Sequence, residues 1–455
     1  KIDSLGNLEW QKCLGGNDID VAGSVRVAQD GGYIIAASTR SNNGDVSDTH
    51  GGADAWVIKL DINGNLQWQK CFGGSGDEFT ESIRNTSDGG YIFAGGCTSS
   101  DGDVSGNHGD QDSWVVKLDS LGNIEWQKSL GGSSSDGSAE IETTIDGGYI
   151  VSSTSFSNDS DVLDHHGFNT FSDCWIVKLD GIGNIEWSKS LGGTNPDIGG
   201  NDRSILPEID GSFVVIMTTM STNGDVTFNH GLEDYWLVKL DQLGSILWNK
   251  SFGGSQSDYA YAVALAPTGG YILSGTSNST DGDITNSLGN IDYWMINTDT
   301  AGTLIWQKSY GGSKGESYGN AIPTTDGQII LSGNSNSSNG DVSGQQGKGD
   351  YWIVKLNGEI LTTIENIDSL FSFSLTPNPA TNFITIQIQL QSGSSFITTT
   401  ITNLLGEIVF EKTSPCLNGN LHEEISLDEN FPQGMYVVKV STPRHQWVKP
   451  LIILK

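Results

Sequence analysis

Twelve of the chain's thirteen tryptophans fall into two interleaved series, and this rhythm limits what the chain can fold into more than any other feature. Trp10, Trp68, Trp126, Trp187, Trp248 and Trp306 lie 58, 58, 61, 61 and 58 residues apart, each within a variant of GNLEWQK. Trp56, Trp114, Trp175, Trp236, Trp294 and Trp352 follow at 58, 61, 61, 58 and 58, each within a variant of DxWVVKLD. A strict period of this length marks a repeat architecture, in which one supersecondary unit buries its face against the next.

The units read as strands. Trp56, Ile58 and Leu60 share one face and Val57 and Lys59 the other, a period of two, while helical periodicity is absent. In unit two, FTESIRNT, GYIFAGGCT, SWVVKLD and NIEWQKSL are four such segments, divided by turn residues drawn from 60 glycines with Asn, Asp and Ser. The fold class is therefore all-β, with six visible four-stranded blades forming a β-propeller over residues 1–360. The three-residue insertions, between Asp161 and Trp175 and between Trp187 and Asp225, fall in loops. Residues 7–14 supply a fourth strand with no preceding three, and Tyr351–Leu356 is a third strand followed by a degenerate fourth, so the N-terminal strand is expected to close the last blade. Because the first residues match the middle of a unit, further residues, an export signal among them, are expected before Lys1; another unit would give seven or more blades.

Acidic residues outnumber basic ones 55 to 23, a net charge of −32 with no basic stripe, which excludes nucleic acid as a partner. Such a charge also concentrates cations at the surface. No apolar run approaches the roughly 18 residues that span a bilayer, so there is no transmembrane segment. Cys13, Cys71, Cys97, Cys174 and Cys416 form no metal or redox spacing, and Ser replaces Cys13 and Cys71 at matching repeat positions, which makes these two small packing residues.

The segment LDINGNLQWQK, with Asp61, Gly64 and Trp68, resembles the blade motif of quinoprotein-type propellers, where an Asp and a Gly shape a turn and a Trp docks on the next blade. The whole unit is more similar to propeller repeats in exported proteins of bacteria that use type IX secretion. After the linker, placed at 361–370, residues 371–455 carry LTPNPATNFITIQI, ITNLLGEIVFEK, FPQGMYVVKVS and WVKPLIILK, which resemble the type A sorting domain of that system. Pro377, Asn378, Pro379, Gly406, Gly434, Tyr436 and Lys455 are the matching positions. The resemblance implies an Ig-like β-sandwich that engages translocon, shuttle and sortase proteins, carries the chain across the outer membrane and is removed on attachment to the surface. Read on its residues alone, the tail predicts a seven-strand sandwich, which an ordinary adhesion module would equally satisfy. The same bacterial group O-glycosylates Asp-Ser/Thr-apolar triplets, and DSL or DTA occurs at Ser4, Ser120, Thr300 and Ser369.

Carboxylates recur in register. Asp20, Glu78, Asp136, Asp197, Asp258 and Glu316 each stand four residues after the second Gly of a GG pair, at the entry of the innermost strand. They either cap backbone N–H groups, the preferred reading, or ring one channel mouth around a cation. Asp45, Asp103, Asp161, Asp225, Asp283 and Asp341 end [DN]-[GS]-D segments, which suit Ca²⁺ and equally suit an Asx turn. Calcium is thus the one cofactor considered, and no other is implied. Asp54, Asp112, Asp173, Asp234, Asp292 and Asp350, two before each second-series Trp, are expected to hold loop amides. His50, His108, His166 and His230 precede Gly in these loops, but Leu288 and Gln346 replace them in units five and six, which excludes a ligand role in every blade.

No nucleophile elbow, HExxH or phosphate loop is present, and no catalytic residue is assigned. The function read from the sequence is a secreted or cell-surface binding or adhesion propeller, directed to a glycan or another surface protein and exported as type IX cargo. The alternative is a secreted glycosidase or lyase on the same scaffold, for which the asymmetric GGNDRSILPEID insertion, with Asp202, Arg203 and Glu208, is the one sequence hint.

Overall fold

The computed structural model describes residues 1–455 other than 168–169, 202, 268, 325–326, 357–370, 391–395, 404–407, 416–419, 428–430, 442–445 and 454–455. The chain divides into two compact units, Lys1–Lys355 and Leu356–Lys455; the expected linker lies outside the described residues.

The first unit is a β-propeller of successive antiparallel meanders. Blade one consists of Asp20–Val27, Tyr33–Thr39, Asp54–Leu60 and Leu66–Phe72, paired in chain order, and blade two of Glu78–Asn85, Tyr91–Cys97, Asp112–Leu118 and Ile124–Leu130. Blades three and five repeat the pattern. In blade four the insertion breaks the innermost strand into Asp197–Ile198 and Ile205–Pro207, both paired with Phe213–Thr219. The innermost strands neighbour one another in order from blade one to blade six.

The last blade departs from expectation. Among the described residues it has three strands, Glu316–Pro323, Ile329–Ser335 and Asp350–Leu356, and residues 7–14 pair with none of them. Elsewhere the third strand of one blade packs on the innermost strand of the next, and Ala55, Val57 and Ile83 are fully buried at such a seam. Their counterparts Tyr351, Ile353 and Val25 are 88%, 55% and 53% exposed, because no described element packs between blade six and blade one. The N-terminal segment meets blade six through Lys355, whose Nζ donates to the Ser4 carbonyl at 3.4 Å. Against blade one, however, it behaves as a preceding fourth strand: Trp10 packs edge-on to Tyr33, and Leu14 joins the cluster of Trp56, Ile58 and Leu60.

Each seam has its own core, built from the even spacing of apolar residues along three strands. Between blades one and two, Ile34 and Ala36 meet Ile83, Phe93 and Trp114. Burying one indole contributes on the order of 4–6 kcal/mol as an upper bound by area. The other Trp series locks the seams from outside. Trp68 lies against Gly122 of the next blade, whose φ is +76°, and a Cβ there would sit 2.9 Å from the indole. Trp10, Trp126, Trp187 and Trp248 repeat this contact with Gly64, Gly183, Gly244 and Gly302.

A buried lysine ties the second and third strands. Lys117 Nζ reaches Asp88 at 2.8 Å and Glu125 at 2.7 Å, and Lys59 and Lys178 repeat the arrangement with Asp30 and Asp146. Burial alone raises the Asp88 carboxyl, but Lys117, the Thr86 hydroxyl and the Gly90 N–H together hold it down at about 2. Of the cysteines, Cys71, Cys97 and Cys174 are buried, whereas Cys13 is exposed rather than packed. Cys416 lies outside the described residues.

The second unit is a seven-strand sandwich. Phe371–Thr376, Phe383–Leu390 and Asn420–Ser426 form one sheet; Ile408–Pro415, Phe396–Asn403, Gly434–Ser441 and Gln446–Ile453 form the other. Alternation places Ile384, Ile386 and Ile388 opposite Ile401, Val438, Val440 and Leu451 in one buried core.

Candidate functional site

The recurring carboxylates converge on the GG loops of their own blades. In blade two four consecutive N–H groups are each held by a side chain. Gly73 donates to Asp103 Oδ2 at 3.2 Å, Gly74 to Glu78 Oε2 at 2.9 Å, Ser75 to Asp101 Oδ1 at 2.7 Å and Gly76 to Ser99 Oγ at 2.8 Å. Such a row of amides is an anion-binding nest, and here the protein fills it with its own groups. The motif Ser-x-[Asp/Asn]-[Gly/Ser]-Asp is the complement of GG-x-x. Asp20, Asp136, Asp197, Asp258 and Glu316 hold the second Gly N–H in the same way. Asp45, Asp161, Asp225, Asp283 and Asp341 hold the first.

From Glu78 to Glu316 the inner carboxylates are buried in their own blades, which is the capping arrangement. Burial pushes Asp197 up to about 6 despite the Thr219 hydroxyl, Ser221 and the Gly193 N–H, and it does the same to Asp258. Among the described residues no three His, Cys, Asp or Glu side chains come together as a metal would need.

The third-strand aspartates hold loop amides, as their position implied. Asp54, Asp112 and Asp234 accept the backbone N–H of His50, His108 and His230 at 2.6–2.8 Å, and His166 donates likewise to Asp173. Leu288 and Gln346 donate to Asp292 and Asp350 at 2.6 Å. The main chain is what the aspartate needs, so the imidazole is dispensable and its loss in blades five and six follows.

Against this repetition two places are asymmetric. On the innermost strands, buried Arg84 reaches Glu140 at 2.9 Å and Glu142 at 2.6 Å. Glu140 also accepts from Ser204 Oγ and the Ile205 N–H, fastening the blade-four insertion. Arg203 and Glu208 are not brought to one pocket: the Arg203 N–H bonds to Glu140, whereas Glu208 pairs with Lys239 and accepts from the Tyr271 hydroxyl. Asp202 lies outside the described residues.

The second place is a cavity of about 240 Å³ between blades one and two, lined by Ile19, Val21, Ala53, Phe79, Thr80 and Glu81 with Arg40 at its edge. Its origin is one small residue. Immediately before the third strand stand Ala53, Gln111, Ser172, Glu233, Ile291 and Gly349. At the next seam Gln111 occupies the equivalent space, its Nε2 only 2.3–2.4 Å from where a Cβ on Gly96 or Gly137 would be. In blade four Glu233 takes the same post and accepts from the Tyr259 hydroxyl at 2.9 Å. Ala53 is too short to do either. Arg40 donates to Asp77 Oδ1 at 2.9 Å, and the Thr80 hydroxyl is buried with no partner. Sequence reasoning missed this site, because the residue before the third strand differs in every blade and Ala53 does not stand out beside Ser172 and Gly349.

In the C-terminal unit both prolyl bonds at Pro377 and Pro379, flanking Asn378, are cis. Gly434 opens its strand, and Tyr436 donates from its hydroxyl to the Pro432 carbonyl at 2.8 Å. Gly406, Lys455 and Ser369 lie outside the described residues. Ser4, Ser120 and Thr300 are exposed in turns.

Residues 374–454 match the family described as a secretion system C-terminal sorting domain. The chain is accordingly exported, to the cell surface or the medium, and no described helix is long and apolar enough to cross a membrane. No curated protein sequence matches the chain. Among solved structures it is similar to a puromycin hydrolase, at 13% identity and a TM-score of 0.38, covering 71% of this chain and 43% of that one. The WD40 domain of Neurospora crassa Pan2 matches at 11% identity and a TM-score of 0.36, over 68% and 85% of the two chains. PorZ, a surface component of the type IX secretion system of Porphyromonas gingivalis, matches at 11% and 0.28, over 97% and 60%. The chain thus spans less than half of the hydrolase it resembles.

Proposed function

We propose that this chain is an exported, non-catalytic binding protein of the cell surface, whose propeller holds its ligand at the seam between blades one and two. The cavity carries this reading. Every recurrent carboxylate serves the backbone of its own blade, so the repeated motifs maintain the scaffold, and a ligand site is sought where the repeat is broken. Ala53, Arg40 and Phe79 stand at positions that vary from blade to blade, and together they line an apolar hollow that also carries polar groups, the general form of a small-ligand site. The sorting domain supplies the route, through the translocon, shuttle and sortase proteins of type IX secretion.

The test uses the purified full chain with intact cells and with insoluble polysaccharides, scoring retention and release of reducing ends. Retention without release is expected. Release would transfer the reading to a carbohydrate-active enzyme, and absence of retention on every surface would end it. In the native host, deleting residues 374–454 should abolish surface exposure; unchanged protease accessibility on whole cells would overturn the export route.

A further inference from the structure

We propose that the cavity between blades one and two receives a single ring of an uncharged sugar, an inference that rests on the binding reading above and names its ligand class. The volume of about 240 Å³ lies below the roughly 300–1,000 Å³ typical of drug-sized ligand pockets, so one ring fits and a longer chain continues into solvent. Ile19 and Val21 of blade one face Phe79 of blade two across the hollow. These walls suit the C–H face of a pyranose, which is apolar although its edge is ringed by hydroxyls.

The edge of the cavity selects against other occupants. A purely aliphatic side chain from a protein partner would bury the Arg40–Asp77 pair and strip water from the remaining guanidinium donors without replacing those hydrogen bonds, at a cost of about 1–3 kcal/mol per orphaned group. An acidic ligand would meet an Arg40 already neutralised by Asp77 on a chain of net charge −32. Hydroxyls serve the Arg40–Asp77 pair, because each donates and accepts. Arg40 retains guanidinium donors beyond the one given to Asp77, and Glu81 adds an acceptor-rich side chain to the wall.

The experiment places the full chain on an array of neutral, uronic and sulfated glycans, beside the variants Ala53→Gln and Phe79→Leu. Ala53→Gln extends a side chain into the cavity and should lose neutral-glycan binding at least tenfold; because Ser38 and Phe79 stand where Gly96 and Gly137 make room for Gln111, circular dichroism establishes that the variant is folded before the array is read. Phe79→Leu keeps the wall apolar and removes the ring, with a smaller loss in the same direction. Binding of neutral glycans that neither variant weakens would overturn the site, and binding confined to acidic glycans would overturn the ligand class. Silence across the array with retention on cells preserved would reject the sugar while leaving the binding reading intact. Silence on both would end the two together.

Discussion

At the scale of single residues, the glycines beside the docking tryptophans bear two constraints at once. Gly122 needs a positive φ that side chains rarely adopt, and it leaves the space into which Trp68 presses. Gly122→Ala should therefore destabilise the propeller by about 1–3 kcal/mol, read as a lower urea midpoint at unchanged slope; no shift would show that the indole yields instead. This contact was legible in the sequence, since the Asp-Gly-Trp motif already named the turn and the docking ring. The capping aspartates were equally legible, because repetition in all six units points to structure. What could not be read was the pairing of GG-x-x with Ser-x-[Asp/Asn]-[Gly/Ser]-Asp: the two motifs lie about 25 residues apart, and only the meander brings four amides onto three carboxyl or amide groups and a hydroxyl.

At the scale of elements, the buried lysine shows how a blade changes without failing. Blade five has Asn297 where Lys117 stands in blade two, and Thr268 and Ile305 at the positions of Asp88 and Glu125, so the charges disappeared together. Removing one partner from a buried pair leaves an uncompensated charge, whereas removing all of them need not destabilise. Asp88→Thr alone should destabilise because it leaves the buried Lys117 ammonium short of a partner, and adding Lys117→Asn should recover part of the loss, with a coupling of about 1 kcal/mol because Asp88 is half exposed. Strict additivity in chemical denaturation would deny the pair any role. The number and order of strands followed from the period-two pattern, but the strand break in blade four did not, because Glu140 holds Ser204 and Ile205 from a different blade. That residues 7–14 do not pair with blade six was also beyond reach, since register alone cannot say whether they meet it.

At the scale of the molecule, burial and charge predict an unusual pH profile. Asp197 and Asp258 have folded pKa values of about 6 against an ordinary 3.8, so the folded state binds their protons more tightly. Their contribution to stability is present below about 3.8 and is lost as pH rises through 6. Asp88 and Asp146, at about 2, contribute above 3.8 and lose that contribution as pH falls toward 2. Stability should thus peak near pH 4–5, with a lower urea midpoint at pH 7.5 and again below pH 3. The double variant Asp197→Asn, Asp258→Asn should flatten the upper limb, and a wild-type midpoint that rises from pH 5 to 7.5 would contradict this account. From Trp10 to Trp248, five indoles in succession meet the same glycine notch of the blade that follows, so one joint serves successive units. Gene segments encoding single blades can then be duplicated during evolution without inventing a new joint, while the residue before the third strand is free to differ in each copy.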